Sequence, residues 1–317
     1  MRAFVVDKGI AGLQERPIPE PADGEALLRI RRAGICNTDL EIIRGYMQFS
    51  GVLGHEFVAE VVACPSDTRW LGKRVVGEIN VPCDNCDFCS RGIPSHCRNR
   101  TTVGIDRHDG AFADYMTLLT KCLHLVPDSI SDDEAVFVEP LAAALQVTEL
   151  EPVHPDSEVV LVGAGKLGIL TAQVLQLTGA NLRVVIRSYR PVPMLEKLGL
   201  AWARLEDLPR KQADVVVECT GNESGFNAAL ELVKPRGSIV LKSTYVGSPN
   251  VNLTKVVVDE IRLIGNRCGP FDSALKLLES GKVNVLPLID SRYSLDDVSP
   301  ALERAAAPGA LKVLLEV

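Results

Sequence analysis

The sequence predicts an α/β protein with two domains, a β-rich first domain and a second domain built on a doubly wound parallel sheet. Short β-branched runs separated by turns fill the first third of the chain, whereas strands alternate with helical stretches after Glu139-Pro140. A glycine-rich turn between a strand and a helix adds a nucleotide-binding motif to the second part. A chain of 317 residues is long enough for two domains of ordinary size.

Three β-branched or apolar segments predict strands in the first domain. They run from Ala26 to Arg31, from Phe57 to Val62 and from Arg74 to Val76, with Gly54 and Gly72 as turn residues before the last two. Runs of this length bounded by glycine are typical of a sheet with many short connections.

In the second domain, the helix-period stretch from Lys166 to Leu177 predicts a helix that ends at Gly179. Four short apolar runs predict the strands around it, at residues 158–162, 182–186, 214–218 and 238–241. Strands that alternate with helices form a parallel sheet covered on both faces.

The last part of the chain predicts a helix from Phe271 to Ser280 and a final strand from Gly309 to Leu315. We expect this segment to return to the first domain. Residues 1–140 and 271–317 would then form the first domain, and residues 141–270 the second.

Composition excludes several classes of protein. The 34 Lys and Arg residues against 41 Asp and Glu give a net charge of −7, which does not favour a nucleic-acid partner. We find no uncharged apolar stretch of roughly 18 residues and no apolar leader after Met1, so we expect a cytoplasmic protein without a membrane span. Clustered cysteines in a reducing compartment indicate a metal rather than disulfides.

Four cysteines lie close together, at Cys83, Cys86, Cys89 and Cys97. Four thiolates that turn onto one ion form a closed tetrahedral shell, which is typical of structural zinc. The last gap of the cluster and the following Arg98 differ from the bacterial iron–sulfur pattern. A redox C-x-x-C motif needs only two cysteines, beside a βαβ unit. The cluster therefore predicts a structural zinc site.

A second group of donors predicts an open metal site. Cys36 and His55 supply a thiolate and an imidazole, which are both good zinc ligands, and a carboxylate can provide the third. Glu56 is adjacent to His55, and Glu139 lies at the domain junction, so both are candidates for that third ligand. Three protein ligands leave a position for water or a substrate oxygen.

The glycine-rich turn has the pattern of a dinucleotide-binding motif, Gly163-Ala164-Gly165-Lys166-Leu167-Gly168. Gly163 permits the tight turn, Gly165 lets the backbone approach a pyrophosphate, and Gly168 lets the helix pack on the strand. The pyrophosphate then lies at the positive end of the helix dipole, beside Lys166 and Leu167.

The end of the next strand indicates which dinucleotide binds. Enzymes that use NAD usually carry an acidic residue there for the ribose 2′-hydroxyl. This chain has Arg187, Ser188 and Arg190 instead, which are suited to a 2′-phosphate. The sequence therefore favours NADP over NAD.

Together these motifs resemble those of the zinc-dependent medium-chain dehydrogenases, the family of alcohol, sorbitol and threonine dehydrogenases. The resemblance covers nearly the whole chain and rests on the following segments: Gly34 to Asp39, Gly54-His55-Glu56, the four cysteines, Glu139-Pro140-Leu141, Gly163 to Gly168 and Glu218-Cys219-Thr220-Gly221. It implies a GroES-like catalytic domain and a Rossmann domain, assembled as a homodimer or homotetramer.

The resemblance also implies roles for single residues. Cys36 and His55 would bind the catalytic zinc, and Thr38 matches the hydroxyl that relays the substrate proton. Asp39 matches the carboxylate that orients the zinc-bound imidazole. Glu41 stands near the place where many alcohol dehydrogenases have a relay histidine.

The same resemblance places Thr220 near the cofactor. A ligand set of Cys, His and Glu resembles that of the polyol branch of the family more than that of the simple-alcohol branch.

These features predict a zinc-dependent oxidoreductase. It would transfer a hydride between a nicotinamide cofactor, NADP rather than NAD, and the CH–OH group of an alcohol, polyol or sugar alcohol. The alternative is a catalytically silent NADP(H)-binding sensor or scaffold of the same fold. A zinc-free quinone reductase of the same superfamily is disfavoured by the four-cysteine cluster and by the Cys36 and His55 pair.

Overall fold

Short β-branched segments form most of the first part of the chain in a computed structural model that describes residues 1–8, 10–245 and 249–317. The strands before the domain junction are β1 Arg2–Asp7, β2 Ile10–Glu15, β3 Glu25–Gly34, β4 Gly51–Val52, β5 Glu56–Ala63, β6 Arg74–Gly77, β7 Asn80–Val81, β8 Thr101–Val103, β9 Arg107–His108, β10 Tyr115–Leu119 and β11 Leu123–Leu125. The helices of this part are α1 Asn37–Ile43, α2 Asp87–Ser90, α3 Asp132–Ala135 and α4 Val138–Leu150.

The remaining strands are β12 Glu158–Val162, β13 Asn181–Ile186, β14 Trp202–Arg204, β15 Ala213–Glu218, β16 Val233–Leu241, β17 Arg262–Gly265, β18 Ile289–Ser294 and β19 Lys312–Glu316. The helices among them are α5 Lys166–Gln176, α6 Val192–Lys197, α7 Glu223–Leu232, α8 Leu253–Val258, α9 Phe271–Glu279 and α10 Val298–Ala306.

The chain divides into two units, one made of Met1–Glu139 and Leu288–Val317 and the other of Pro140–Pro287. In the first unit, the largest sheet of the described residues has the strand order β11-β6-β5-β3-β19-β18, and β10 also pairs with β3. Strand β3 alternates buried and exposed residues because one of its faces covers the core, where Ala26, Leu28 and Ile30 lie.

The second unit contains a six-stranded parallel sheet in the order β14-β13-β12-β15-β16-β17. The chain proceeds outward in one direction from β12, and then in the other direction from β15. This is the doubly wound order, in which ligands bind beyond the carboxyl ends of the strands at the switch point. The apolar core includes Val160, Val216 and Ile239 from the sheet and Phe226 from α7.

Two differences from the prediction concern the last part of the chain. We expected the return to the first unit at residue 271, but residues up to Pro287 belong to the second unit. The reason is a reciprocal pair of hydrogen bonds between Gln173 of α5 and the backbone of Asn284, at 3.3 and 2.8 Å. The final strand begins at Lys312 rather than Gly309, because Gly309 lies in a turn with φ of +80°.

None of the described helices is both long enough and apolar enough to cross a membrane.

Candidate metal centre and dinucleotide site

Three strands of the first unit meet at Gly34. Gly34, the last residue of β3, pairs with Glu56 of β5 on one side and with Leu314 of β19 on the other. A Cβ atom at position 34 would lie 2.5 Å from Glu56 Oε2 and 2.8 Å from a methyl group of Val136, so only glycine fits there. This register places Cys36, which follows β3, beside Glu56, the first residue of β5, and His55, which precedes it.

Asp39 connects two of the candidate ligands. Cys36 is the N-cap residue of α1, and its backbone N–H donates to Asp39 Oδ2 at 2.8 Å. The other carboxylate oxygen, Oδ1, lies 3.3 Å from Nδ1 of His55, and both side chains are buried. Because Nδ1 faces Asp39, Nε2 is the imidazole nitrogen left for a metal.

The surroundings of His55 influence its protonation. Burial acts to lower the pKa of His55, but the Asp39 carboxylate and the Cys36 sulfur together raise that pKa well above its ordinary value. The charges of Asp39 and Cys36 therefore outweigh burial at His55, and a metal ion that binds the imidazole would displace its proton.

Glu56 forms an ion pair with Lys312 of β19 through Oε2, and both side chains are almost completely buried. Burial acts to lower the pKa of Lys312, whereas the charges of Glu56, Cys36 and Glu139 raise it above its ordinary value. The ammonium group therefore stays charged and offsets part of the negative charge of the donor set.

The donor set fits a zinc ion. Among the described residues, ligand atoms of Cys36, His55 and Glu56 all lie within 4.8 Å of one another. Sulfur, imidazole nitrogen and carboxylate oxygen are the atoms that bind catalytic zinc. Glu139, at the start of α4, is not part of this group, although its charge acts on Lys312.

The two polar residues that follow on α1 have different surroundings. Thr38 Oγ1 lies 3.6 Å from Cys36 Sγ, so its hydroxyl is beside the candidate metal centre. Glu41 instead accepts a hydrogen bond from Arg44 at 2.6 Å, in a solvent-accessible ion pair. Thr38 is therefore placed to exchange a proton at this centre, and the structure shows no link from Glu41 to Thr38 among the described residues.

The four cysteines form a second, closed group in the first unit. Ligand atoms of Cys83, Cys86, Cys89 and Cys97 lie within 4.8 Å of one another, and three sulfur–sulfur distances are 3.4, 3.5 and 3.8 Å. Four sulfurs each ~2.3 Å from one zinc ion would be about 3.8 Å apart. The group fits a tetrahedral zinc ion without any large movement.

Backbone amides make one thiol of this group more acidic. Hydrogen bonds from the backbone of Arg98 and Cys89 lower the pKa of Cys86 to about 6, whereas burial and neighbouring thiols raise that of Cys89 to about 11. A zinc ion would stabilise all four thiolates, and its binding would release protons.

The glycine-rich turn of the second unit has the geometry for a dinucleotide. Gly163 follows β12 with φ of +112°, and a Cβ atom there would lie 2.9 Å from Thr220 Cγ2. A Cβ atom at Gly168 would overlap the carbonyl oxygen of Gly163, whereas at Gly165 it would enter open space at the start of α5. The open backbone at Gly165 leaves room for a phosphate at the N-terminus of α5.

Lys166 and Leu167 form the first turn of this helix, and the carbonyl of Leu167 accepts a hydrogen bond from Thr171 Oγ1 at 2.9 Å. Arg187, Ser188 and Arg190 are all exposed just beyond the carboxyl end of β13. Within the part of the chain that the structure describes, no acidic side chain pairs with either arginine. Their guanidinium groups are therefore available to an anionic ligand.

Thr220 lies just after the carboxyl end of β15, where it contacts Gly163, as described above. Its backbone N–H and its hydroxyl both donate to Oε1 of Glu218, and Oε2 of Glu218 accepts from Tyr245.

Sequence reasoning did not assign roles to Lys312, Glu218 or Tyr245. The sequence did contain an indication that Lys312 is unusual, because it is the one charged residue in the apolar run Leu311 to Leu315. The register that brings it to Glu56 comes from long-range pairing and could not be deduced locally.

Comparisons with known proteins agree with this geometry. Residues 22–128 match the family model described as the alcohol dehydrogenase GroES-like domain, and residues 166–280 match that described as zinc-binding dehydrogenase. An L-threonine 3-dehydrogenase of Chelativorans sp. is 32% identical over 100% of this chain and 98% of its own length. The chain belongs to the zinc-dependent medium-chain dehydrogenase/reductase family.

Two further relatives describe the breadth of this family. D-arabinitol dehydrogenase 1 of Uromyces fabae is 29% identical over 92% of this chain and 90% of its own length. A zinc-binding dehydrogenase from Sinorhizobium meliloti 1021, solved with NADP, is 28% identical, covers 100% of this chain and 99% of its own, and superposes with a TM-score of 0.91.

These comparisons confirm the predicted family and the predicted fold class, a GroES-like domain with a Rossmann domain. They also confirm the predicted activity at the coarse level: the protein is an oxidoreductase that acts on a CH–OH group of a small molecule with a nicotinamide cofactor.

Proposed function

We propose that this family member is a zinc-dependent polyol or sugar-alcohol dehydrogenase that uses NADP. The observation that carries the proposal is the convergence of Cys36, His55 and Glu56 in the first unit. Sulfur, nitrogen and oxygen donors that meet beside the hydroxyl of Thr38 are suited to a substrate alcohol.

When bound, zinc polarises the substrate oxygen as a Lewis acid, and the nicotinamide exchanges a hydride with the substrate carbon. Cys36, His55 and Glu56 would hold the metal, with Asp39 orienting His55. In the oxidative direction Thr38 takes up the proton of the substrate hydroxyl and releases it to water. Glu139 is the alternative third ligand if Lys312 retains Glu56.

The second unit would bind the dinucleotide. The pyrophosphate would accept hydrogen bonds from the backbone around Gly165, at the start of α5. Arg187, Ser188 and Arg190 would bind the 2′-phosphate of NADP, since they are exposed and their charges are not neutralised by described acids.

The substitution Cys36→Ser tests the metal centre. We expect zinc content to fall from two ions per chain to one, with turnover lost and NADPH binding retained. Cys64→Ser is the control, because Cys64 is another thiol of the first unit but belongs to neither donor group. Full activity in a folded Cys36→Ser protein would refute the assignment, and NADPH binding without turnover of any alcohol by the wild type would favour the sensor.

The double substitution Arg187→Gln with Arg190→Gln tests the choice of cofactor. We expect a fall of at least about tenfold in kcat/KM for NADP with little change for NAD, because each lost guanidinium removes a charge-assisted hydrogen bond. Arg183→Gln, within the preceding strand β13, is the control. An equal loss with both cofactors would contradict a 2′-phosphate site.

The substrate class rests on the ligand set and on the similarity to a D-arabinitol dehydrogenase. A panel of pentitols, hexitols and simple secondary alcohols, assayed with NADP by absorbance of the reduced cofactor, would distinguish the two branches. The highest kcat/KM for a simple secondary alcohol would overturn the polyol assignment.

We also propose that two copies associate through β17. This strand is an edge of the parallel sheet, so one side of its backbone has no partner strand in the described residues. Exposed apolar side chains surround it, namely Leu253, Val257 and Val258 of α8 and Leu263 of β17. Light scattering should show a dimer or tetramer that dissociates in a Val258→Lys, Leu263→Lys variant, whereas a monomeric wild type would refute the proposal.

A further inference from the structure

Glu218 lies at the switch point of the parallel sheet in the second unit. It ends β15 and pairs with Val162 of β12 on one side and with Leu241 of β16 on the other. The order of the sheet reverses between β12 and β15, and dinucleotides bind in the crevice beyond the carboxyl ends of two such strands.

The Glu218 side chain is completely buried, and both of its carboxylate oxygens accept hydrogen bonds. Oε1 accepts from the backbone N–H of Thr220 at 2.6 Å, from the Thr220 hydroxyl and from the Gly221 N–H at 3.2 Å. Oε2 accepts from the Tyr245 hydroxyl at 2.5 Å. A buried charge is tolerated only with such a set of donors, so the four residues form one coupled group, here named the Glu218 cluster.

The Glu218 cluster fixes the backbone that contacts the glycine-rich turn. Cys219 N–H donates to the Val162 carbonyl at 2.9 Å, which holds the start of the segment against β12. A Cβ atom at Gly163 would lie 2.9 Å from Thr220 Cγ2 and 3.1 Å from the Cys219 carbonyl carbon. The Cys219-Thr220 segment therefore lies so close to Gly163 that no side chain fits between them. If Thr220 moved outward, the turn on which the pyrophosphate is expected would lose this support.

The surrounding helix is built to accommodate this cluster. Gly225 lies in the first turn of α7, and a Cβ atom there would overlap Thr220 Oγ1 and lie 2.7 Å from Glu218 Oε1. The absence of a side chain at position 225 is thus required for the carboxylate and the threonine hydroxyl to meet.

We propose that Glu218 is a positioning residue for the dinucleotide: it holds Thr220 against the glycine-rich turn and, through Tyr245, joins this wall to the segment after β16. The proposal rests on the proposed dinucleotide site and adds a residue that does not itself contact the cofactor. Its effect is exerted on the affinity for the dinucleotide rather than on the stability of the fold alone.

The test compares the dissociation constant for NADPH, measured by its fluorescence on binding, with the thermal midpoint of each variant. Glu218→Gln keeps the shape of the side chain but removes its charge, and should raise Kd about tenfold, the effect expected when charge-assisted hydrogen bonds are weakened. Tyr245→Phe removes one donor and should raise Kd about threefold by the same argument.

Glu151→Gln is the matched control. Glu151 is another buried carboxylate of the second unit and accepts from Ser238 Oγ at 2.7 Å and from Arg262 at 2.6 Å. Ser238 pairs with Val215, three residues before Glu218 on β15, and Val215 pairs in turn with Val159, four residues before Gly163, so this network lies away from the glycine-rich turn. We expect Glu151→Gln to lower the thermal midpoint and to leave Kd unchanged within about twofold.

An equal Kd for Glu218→Gln and wild type, or an equal increase in Glu151→Gln, would overturn the positioning role. If Glu218→Gln does not fold, Tyr245→Phe decides in the same way, because Tyr245 is only half-buried. A wild-type protein that binds neither NADPH nor NADH would refute the proposed function itself, which is a distinguishable failure.

Discussion

At the scale of single residues, the pair of Glu56 and Lys312 is the least expected feature of the metal centre. Both charged groups are almost completely buried, and each would be costly to bury alone. The ammonium group reduces the negative charge of a site that already contains a thiol and a carboxylate. Lys312 therefore affects both the stability of the sheet and the charge presented to a metal.

The substitution Lys312→Met tests this role. We expect the free energy of unfolding of the metal-free protein to fall by about 3 kcal/mol, because Glu56 is then left as a buried carboxylate without a counterion. Urea unfolding followed by circular dichroism measures the loss. The control is Lys234→Met, which breaks an ion pair at the surface and should cost under about 1 kcal/mol.

Adding Glu56→Gln to Lys312→Met should recover part of the stability, since the buried charge is then removed as well. If the Lys312→Met protein is as stable as the Lys234→Met control, Lys312 does not stabilise the protein by compensating the buried charge of Glu56.

At the scale of elements, two glycines at the junction between β12 and α5, Gly165 and Gly168, have different functions. A Cβ atom at Gly168 meets the Gly163 carbonyl oxygen, whereas one at Gly165 meets no described atom within 4 Å. Gly168 is therefore needed for the packing of the helix against the strand, and Gly165 for the approach of a ligand.

This difference gives a paired prediction. Gly168→Ala should lower the free energy of unfolding by about 2 kcal/mol, because the backbone must shift to admit the methyl group. Gly165→Ala should change stability by under about 1 kcal/mol, as expected at an N-cap. Its dissociation constant for NADPH should instead rise about tenfold, the effect of lost backbone hydrogen bonds.

Chemical denaturation and fluorescence titration measure the two quantities. Identical behaviour of the two variants in both assays would show that the two glycines do not have separate functions.

The parallel sheet was the most predictable part of the molecule. Strand β12 has the predicted bounds, Glu158 to Val162, because a continuous apolar run followed by glycine has few other solutions. Strands β16 and β17 were less accessible to such reasoning, since charged residues occur within both. For the candidate site, the motifs predicted the residues that meet at the metal centre, but not Lys312, whose position depends on pairing between distant strands.

At the scale of the whole molecule, the return of the chain to the first unit is secured by ion pairs. Asp133 accepts from Arg32 of β3 at 3.0 Å and from Arg292 of β18 at 2.5 Å. Burial acts to raise the pKa of Asp133, but the two arginines outweigh it and lower that pKa below its ordinary value. The pair of bonds joins residues far apart in the sequence.

The substitution Asp133→Asn should lower the free energy of unfolding by about 1 kcal/mol at pH 7, a modest value because the arginines are partly solvated. The depressed pKa means that Asp133 stabilises the protein above its unfolded pKa of about 3.9, and that this contribution disappears as pH falls through the lower folded value. The difference between variant and wild type should therefore be constant from about pH 5 to 8 and shrink below about pH 4.

Thermal unfolding across this range measures the effect, with Glu260→Gln as a control that removes one member of an exposed ion pair. A difference that widens on acidification would contradict the assignment of the charge.

The division of the first unit into two stretches of sequence has a consequence for biosynthesis. A ribosome completes the whole second unit, Pro140–Pro287, before it releases the strands that finish the large sheet of the first. Domains generally fold as they emerge, so the nascent protein should carry a folded second unit while the large sheet of the first still lacks β18 and β19. Zinc that arrives early would meet Glu56 before its lysine countercharge has been translated.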